Sequence, residues 1–425
     1  MARPLTARTE NPYSSSSRAR PRACRRASCR DTVPISTGYR VRILSMDFSI
    51  PYLMKDENYP IGGWAIELAV WLRALENAGH ETAVLTWKGA LEHVGSGQQI
   101  KLIETYDPAR GIRVAKYFYS YIPKVLAAAR SYRPDILVQG VCGIHTAIMA
   151  FVADQLKIPF VYRVVSDIDV DERCKALLPS YEWLSYSWAR HHTAGFLCQN
   201  EYQRGKLAAL FPGKPVHVLH NPFAVAEDAA APLPRAERRY VAWLGVFRYP
   251  KNLPLLFRIA QALPAVKFRV AGMTSPNTDQ STLDAVNGLR QLPNVELVGY
   301  VRRADVQQFL SEATMLLCTS DFEGFSNAFL EALAVGAPIV TRRHVDPDSI
   351  VERHMLGASV EDELALSNSV SAIWNMDAGD YDALGRRCQI YVKANHSPMV
   401  KTHELMAALT PLVAGSKRSG ATVMN

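Results

Sequence analysis

The sequence has no apolar run that approaches the roughly 20 residues needed to cross a lipid bilayer. Near its start it also lacks the short apolar segment of a secretory signal peptide. These absences predict a cytoplasmic protein whose contact with a membrane, if it has one, is peripheral on the inner face. The seven cysteines are an odd number and contain no Cys-x-x-Cys pair. This pattern favours reduced thiols and argues against both a zinc site and a disulfide framework.

A dinucleotide fingerprint is missing as well. The first predicted strand, Val41 to Met46, is followed by a loop of about fifteen residues, which is too long for the tight turn of a Gly-x-Gly-x-x-Gly motif. The loop ends in the pair Gly62-Gly63, which precedes a helix. The absence of the motif argues against a nicotinamide oxidoreductase.

The positive charge is concentrated in one short segment. The net charge is +8, and residues 1–40 hold nine Arg against Glu10 and Asp31, which is +7 and leaves +1 for the rest. Residues 1–38 are rich in Ser, Arg and Pro and are predicted to be a disordered basic tail. The tail could contact anionic lipid, serve as a transit-like segment, or be translated from upstream of the true start. Because the basicity does not belong to a folded face, no nucleic-acid partner is predicted.

The remaining chain alternates apolar strands with amphipathic helices, in two consecutive series. The length of 425 residues favours two domains. We predict an α/β fold with a Rossmann-like domain over 39–222, a linker rich in Ala and Pro over 223–239, a second Rossmann-like domain over 240–385, and terminal helices over 386–425. The predicted strands are 41–46, 82–86, 135–139, 160–165, 195–198 and 216–219 in the first domain, and 240–246, 267–272, 295–299, 315–318 and one that begins at Pro338 in the second.

The stretch from Ser320 to Thr341 carries the strongest functional signal. A buried strand leads into a turn with Gly324, and Ser326 or Asn327 can then cap a short helix. A strand, a glycine turn and a helix N-terminus in this order favour an anion site, because backbone amides and the helix dipole point the same way. Helical spacing places Glu331 outside the apolar arc, which predicts that its carboxylate faces a cleft.

Carboxylates beside such a site suit the hydroxyl groups of a sugar or ribose, which donate hydrogen bonds to them. Glu323 lies in the turn and Glu331 lies eight positions later on the helix. The alternative interpretation is that Glu323 is a loop charge and Glu331 is a solvated helix residue.

The segment EGFSNAFLEALAVGAPIV resembles the signature of the family 4 retaining glycosyltransferases, which have the GT-B fold. The resemblance implies two Rossmann-like domains that face a cleft, with a C-terminal helix that crosses back to the first domain. It also implies that Glu323 contacts the donor sugar and that Glu331 binds the ribose. The backbone around Gly324, Phe325, Ser326 and Asn327 would complete the donor site.

A second segment, LGVFRYPKN, opens the second predicted domain. Its basic residues, Arg248 and Lys251, could hold the diphosphate of a nucleotide sugar and stabilise negative charge on the leaving group. The resemblance implies this role, with no metal and no other cofactor. In many members of the family the arginine directly follows the glycine, whereas here Val246 follows Gly245. The assignment of Arg248 is therefore weaker than that of Lys251.

Further donor contacts are implied at three places, one helix start and two strand ends. The pair Gly62-Gly63 corresponds to a glycine loop that contacts the donor in the resembled family. Tyr300 and Val301 match a Gly-x-Val turn near the nucleotide base, and Gly272 ends a strand that borders the donor. Glycine at such positions is also common for turn geometry alone.

The first domain is expected to bind the acceptor. Relatives frequently have a histidine after the strand that corresponds to 160–165, where this chain has Ser166-Asp167. Asp167, in the acidic loop SDIDVDE, and His145 are the candidate acceptor-binding residues. The loop contains Asp-x-Asp spacing, but the surrounding pattern does not fit the metal site of other glycosyltransferases, and no metal site is predicted.

The predicted reaction is transfer of a sugar from a nucleotide diphosphate sugar to a hydroxyl of a glycan, a lipid-linked acceptor or a small molecule, with retention at the anomeric carbon. Two alternatives stay open. One is a non-catalytic protein of the same fold that binds nucleotide sugars, and the missing histidine supports it. The other is a nucleotide-sugar epimerase, which the spacing of the two glutamates disfavours.

Overall fold

Two parallel β-sheets organise the computed structural model, which describes residues 40–55, 62–94, 100–112, 115–225, 231–275 and 278–422. The first sheet has the strand order β3-β2-β1-β4-β5-β6-β7. Its strands are β1 (Arg42–Met46), β2 (Glu81–Thr86), β3 (Leu102–Glu104), β4 (Ile136–Gly140), β5 (Phe160–Arg163), β6 (Gly195–Cys198) and β7 (Val216–Val218). The central strand β1 pairs with β2 on one side and β4 on the other, with Leu44 opposite Ala83 and Leu137.

Helices cover both faces of this sheet, and for this reason β4 and β5 are buried along their whole length. The helices are α1 (Ile50–Lys55), α2 (Gly63–Asn77), α3 (Ile122–Tyr132), α4 (Ile144–Leu156), α5 (Glu172–Leu177), α6 (Ser180–His192) and α7 (Glu201–Leu210). One apolar core lies between the sheet and α3, α4 and α6, and others lie against α2 on the opposite face.

The second sheet repeats this topology, with the order β10-β9-β8-β11-β12-β13. Its strands are β8 (Tyr240–Leu244), β9 (Phe268–Ala271), β10 (Val295–Gly299), β11 (Ala313–Cys318), β12 (Ile339–Arg342) and β13 (Gly357–Val360). Its helices are α8 (Leu253–Ala262), α9 (Gln280–Gln291), α10 (Val306–Ser311), α11 (Asn327–Ala334), α12 (Ile350–Arg353) and α13 (Glu363–Trp374).

Each sheet has a topological switch point, between β1 and β4 in the first and between β8 and β11 in the second. Ligands of open parallel sheets bind outside the carboxyl ends of the strands at this point, because the flanking loops diverge there. The fold therefore places the expected ligand site of the second sheet at the loops that follow β8 and β11, which contain the two segments singled out in the sequence.

Two further helices end the chain, α14 (Ala378–Asn395) and α15 (Pro398–Thr422). Leu384 and Tyr391 of α14 pack in the core of the second sheet together with residues of α11. Leu405 and Leu409 of α15 instead join Trp71 of α2 in the core of the first sheet. The crossing helix and the predicted fold class are thus confirmed. The crossing occurs between α14 and α15 and not at residue 386, which lies inside α14.

The predicted linker, 223–239, is anchored at its end. Residues 226–230 lie outside the described residues. Arg238 is buried and donates hydrogen bonds to the carbonyl oxygens of Leu233, Ala313 and Val335. Because three carbonyls hold its guanidinium, the chain enters the second sheet at a defined position.

A buried ion pair lies in the first domain, close to its contact with the second domain. The guanidinium of Arg163, at the end of β5, lies 2.8 Å from the carboxylate of Glu67 on α2, and the two side chains are 2% and 1% exposed. Arg163 also donates to Leu219 O at 2.6 Å and to the side-chain oxygen of Asn221 at 2.9 Å. Gln199 bridges Glu67 and Asn221 with bonds of 2.9 Å. This network links α2, β5, β6 and the chain after β7.

We expect Glu67→Gln to lower the free energy of unfolding by about 3 kcal/mol, because it leaves the buried charge of Arg163 uncompensated. Denaturant unfolding of the purified variant measures this. The matched control is Glu363→Gln, which breaks an exposed pair with Arg258, whose side chains are 43% and 49% exposed; there the loss should stay below about 1 kcal/mol. Equal losses in the two variants would contradict the importance of the buried pair.

Candidate functional site

The loop between β11 and α11, residues 319–327, is the centre of the site and is called the central loop below. It lies beside the loop that follows β8, since β8 and β11 are neighbouring parallel strands. Thr319 donates its hydroxyl to Lys251 O at 2.8 Å, and the amide of Asp321 donates to Pro250 O at 2.9 Å. The side chain of Asn252 donates to Asp321 at 2.8 Å. These bonds hold the loop after β8 and the central loop in a fixed position relative to each other.

The fold brings the predicted catalytic residues Lys251 and Glu323 into direct contact. The ammonium group of Lys251 forms an ion pair with Glu323 Oε1, and both side chains are largely buried. Ser320 donates its hydroxyl to the same oxygen at 2.7 Å. The result is a cation and a carboxylate held side by side at a strand end.

Arg248 is not part of this contact. It is exposed, directly before the short turn Tyr249–Lys251, and forms no ion pair with any residue in the described part of the chain. Its neighbour Tyr249 contacts the ring of Phe322, and the guanidinium of Arg173 from the first domain lies 5.3 Å from the centre of the same ring.

The prediction that Glu331 faces an open cleft was wrong. Its side chain is 5% exposed and forms an ion pair with Arg303, which follows the Gly299–Val301 turn. The amphipathic-arc argument fails because α11 packs against both α10 and α14 and is buried from Phe329 to Ala334. Arg303 was not singled out in the sequence, although the Arg302-Arg303 pair after the turn was visible.

The glycines at the strand ends on this side pack closely together. A Cβ on Gly272 would lie 2.0 Å from Gly245 O, so the close approach requires glycine. Gly272 donates its amide to Gly299 O at 2.8 Å, and Gly299 has a φ of +73° that favours glycine. Tyr300 is half-buried there, and Val301 packs on the core of the second sheet.

The central loop also touches the first domain. Asn200 donates its side-chain amide to Gly324 O at 3.0 Å. A Cβ on Gly324 would lie only 2.1 Å from Gln199 Oε1 and 2.8 Å from Val165 O. The absence of a side chain at position 324 therefore permits the contact between the central loop and the first domain.

The predicted glycine pair meets the start of α11. Asn327 donates its side-chain amide to Gly63 O at 3.0 Å, while its own side-chain oxygen accepts from Asn221 at 2.8 Å. Gly62 is exposed at the N-cap of α2. Asn221 thus joins the buried Arg163–Glu67 network to the central loop.

Phe325 and Ser326, which the resemblance implies as donor contacts, have side chains in other surroundings than a donor site. The ring of Phe325 is buried against His220 and His396, so its side chain packs at the junction of the domains. Ser326 occupies the N-cap of α11, but its side chain makes no capping hydrogen bond. The first backbone amides of α11 are consequently not capped by this hydroxyl, which leaves them suited to an anion.

The two candidate acceptor residues, Asp167 and His145, have different surroundings. Asp167 accepts hydrogen bonds from Asn200 and Gln203 at 2.9 Å, and its amide donates to Glu323 O at 3.4 Å, so it belongs to the interface between the domains. Burial raises its pKa to about 6. His145 contacts the ring of Phe48 at 4.6 Å, and burial lowers its pKa to about 4. Its imidazole is neutral at physiological pH and is a poor general base.

These features define a class of protein: two Rossmann-like domains with contacting carboxyl-end loops, and a paired cation and carboxylate beside a helix N-terminus. Two family models match the chain, the glycosyl transferase 4-like domain over residues 62–222 and glycosyl transferases group 1 over residues 238–376. The matches together cover more than half of the chain, which therefore belongs to the family 4 glycosyltransferases of GT-B fold.

Solved structures share this fold. HepE of Anabaena, solved in complex with UDP-glucose, superimposes with a TM-score of 0.69 at 15% identity, over 88% of this chain and 100% of that chain. Sucrose-phosphate synthase of Thermosynechococcus elongatus gives a TM-score of 0.68 at 16% identity over the same shares. A curated relative is WcaL of Escherichia coli K12, whose name describes a colanic acid biosynthesis glycosyltransferase. It is 29% identical to this chain over 126 residues. That alignment covers 28% of this chain and 31% of WcaL.

Among the helices within the described ranges, none combines the length and the apolar character that a membrane crossing requires.

We expect Gly324→Ala to destabilise the protein by about 1–3 kcal/mol, because the new methyl group overlaps Gln199 and Val165 across the domain contact. Urea unfolding measures the loss. Gly205→Ala on α7 is the control, since a Cβ there meets nothing within 4 Å; it should be neutral or stabilise by up to about 1 kcal/mol. A Gly324 variant as stable as wild type would show that the domain contact is not tightly packed.

Proposed function

We propose that this glycosyltransferase moves a sugar from a nucleotide diphosphate sugar to an acceptor hydroxyl, with retention at the anomeric carbon. The observation that carries the proposal is the Lys251–Glu323 pair beside the N-terminus of α11. It places one cation, one carboxylate and a set of backbone amides at a single strand end, where an anion and a sugar can be held together.

The diphosphate binds between the loop after β8 and the start of α11. Lys251 supplies positive charge to the departing diphosphate, and the amides of Gly324 to Asn327 donate hydrogen bonds to it. Arg248 is exposed next to the turn that carries Lys251, so its flexible side chain can reach a bound phosphate without any backbone change. The positive charge of these two side chains would stabilise the negative charge of the departing diphosphate, the role that a metal ion has in other enzymes.

The ribose would bind at Glu331 once the partly exposed side chain of Arg303 moves aside, because the carboxylate itself is 5% exposed. A carboxylate accepts hydrogen bonds from two hydroxyl groups more strongly than a neutral acceptor does. Its pairing with Arg303 compensates the buried charge and holds the carboxylate in one orientation. Arg303 follows the turn that contains Tyr300, so the ribose and base contacts belong to one connected unit.

Retention needs no enzymic nucleophile if the acceptor hydroxyl attacks the face of the sugar from which the diphosphate departs. Glu323 is held by Lys251 and by the hydroxyl of Ser320, which favours a role in stabilising positive charge at the anomeric carbon over covalent attack. A donor phosphate oxygen would accept the proton of the acceptor hydroxyl on the same face of the sugar. Closure of the two domains over the site would limit hydrolysis by water.

The acceptor hydroxyl enters from the first domain, near Asp167 and the loop that contains it. A glycan, a lipid-linked acceptor or a small molecule all present such a hydroxyl. A glycan is supported by TarM of S. aureus, a similar structure at 12% identity that was solved with fondaparinux, alpha-GlcNAc-glycerol and UDP. The alternatives are a non-catalytic protein that binds nucleotide sugars and a nucleotide-sugar epimerase.

Lys251→Ala and Glu331→Ala should each reduce donor affinity or turnover by tenfold or more, about 1.4 kcal/mol. The reason is that each removes a charged contact to the diphosphate or the ribose. Isothermal titration with the donor and initial-rate assays measure the two effects. Lys267→Ala and Glu237→Ala are matched controls in charge, because both residues are exposed and precede the strands of the second sheet. Wild-type behaviour of both site variants would refute the assigned roles.

A thermal-shift screen of UDP-, GDP- and ADP-sugars should identify the donor, because a ligand that binds only the native state raises the melting temperature. With that donor and an acceptor, NMR of the product should show the anomeric configuration of the donor. An inverted product would contradict retention. Tight donor binding with no turnover on any acceptor would instead support the non-catalytic alternative.

A further inference from the structure

Three side chains that can act as metal ligands converge in the first domain. Cys142 follows β4, Asp169 lies in the acidic loop after β5, and Cys174 lies on α5. The two sulfur atoms and a carboxylate oxygen all lie within 4.8 Å of one another. These residues come from loops at the carboxyl ends of neighbouring parallel strands, so the topology alone brings them to one place.

The carboxylate of Asp169 is unusual in its surroundings. The residue is 2% exposed, and its carboxylate accepts hydrogen bonds from the hydroxyl of Tyr162 at 3.2 Å and from the amide of Val165 at 3.3 Å. The thiol of Cys142 and the amide of Ser166 also donate to it. No Lys or Arg of the described residues forms an ion pair with it. Buried carboxylates are normally paired with a cation or bound to a metal, because an isolated buried charge is costly. Its two nearest reactive neighbours are thiols.

Two thiolates and a carboxylate are a ligand set for zinc. In a tetrahedral site with Zn–S of about 2.3 Å, neighbouring sulfur atoms lie about 3.8 Å apart. The three ligand atoms already lie close to such an arrangement and need only a small contraction. Tyr162 and Val165 hold the carboxylate from outside, as partners of metal ligands commonly do.

We propose that Cys142, Asp169 and Cys174 form a zinc-binding site, with a water molecule as the fourth ligand. No other His, Cys, Asp or Glu of the described chain joins the group. Binding releases the two thiol protons to solvent as Zn²⁺ enters, so the net charge of the site stays at −1. This departs from the prediction that the chain has no metal site.

The expected effect of the metal is on the contact between the domains. Asp167, two positions before Asp169, donates its amide to Glu323 O and accepts from Asn200 and Gln203. A metal that fixes the acidic loop would therefore fix the segment through which the first domain touches the central loop. The site would strengthen the domain contact without reacting with either substrate.

The test uses the full chain with Cys24→Ser and Cys29→Ser, so that thiols of the tail cannot bind metal. Under reducing conditions, we expect one Co²⁺ per chain, with the near-ultraviolet thiolate-to-cobalt absorption and the visible bands of a tetrahedral site. Zn²⁺ should displace the cobalt and remove both signals. The melting temperature should rise when Zn²⁺ is added.

Cys142→Ser, Cys174→Ser and Asp169→Asn in this background should each weaken Co²⁺ binding by more than about tenfold, since loss of an outer-shell partner alone costs about 10–100-fold. Cys388→Ala, a buried thiol in the second domain, should leave binding unchanged. If the folded parent binds no Co²⁺, or if its binding survives all three ligand variants, the proposal is wrong. A Cys142–Cys174 disulfide that persists in reducing buffer, detected by mass spectrometry after alkylation, would also overturn it.

Discussion

The buried pair of Arg163 and Glu67 is the interaction on which the site depends. Its guanidinium holds the side chain of Asn221, and the amide of Asn221 reaches Phe325 O and Asn327 in the second domain. One charged pair in the core of the first domain thus sets the position of the loop that carries Glu323. A charge removed from water in this way is tolerated only because every partner is in place, so the network favours one arrangement of the two domains.

Parallel-sheet topology explains why the chemistry lies where it does. In the second sheet the switch point separates β8 from β11, and the loops after these strands carry Lys251 and Glu323. The two charges compensate each other, as do those of Glu331 and Arg303. The two glutamates of the site are therefore each held by a cation before any ligand arrives. Such preorganisation reduces the reorganisation needed when charge develops during the reaction.

Sequence patterns predicted most strands of the two sheets and missed two strands at the edges. The buried strand β6 was predicted with the observed bounds because buried strands of parallel sheets are continuous apolar runs. The edge strand β10 was also predicted with its observed bounds, although its residues are partly exposed. The strands β3 and β13 were missed. Both are short edge strands with partly exposed residues, and their composition carries no apolar run. The position of Glu331 was mispredicted, since helical periodicity cannot show that a helix is covered on several sides.

By itself, the sequence determined the family, the two-sheet architecture and the pairing of a basic segment with a glutamate-rich one, because these follow from local patterns and short motifs. Only the tertiary structure decided which side chains meet. Glu67 and Arg163 are 96 positions apart, and Cys142, which follows β4, meets Asp169 and Cys174 from the connection after β5. The physical reason is that local patterns specify strands and helices, whereas contacts between distant residues arise only when parallel strands align their carboxyl ends and the two domains pack together.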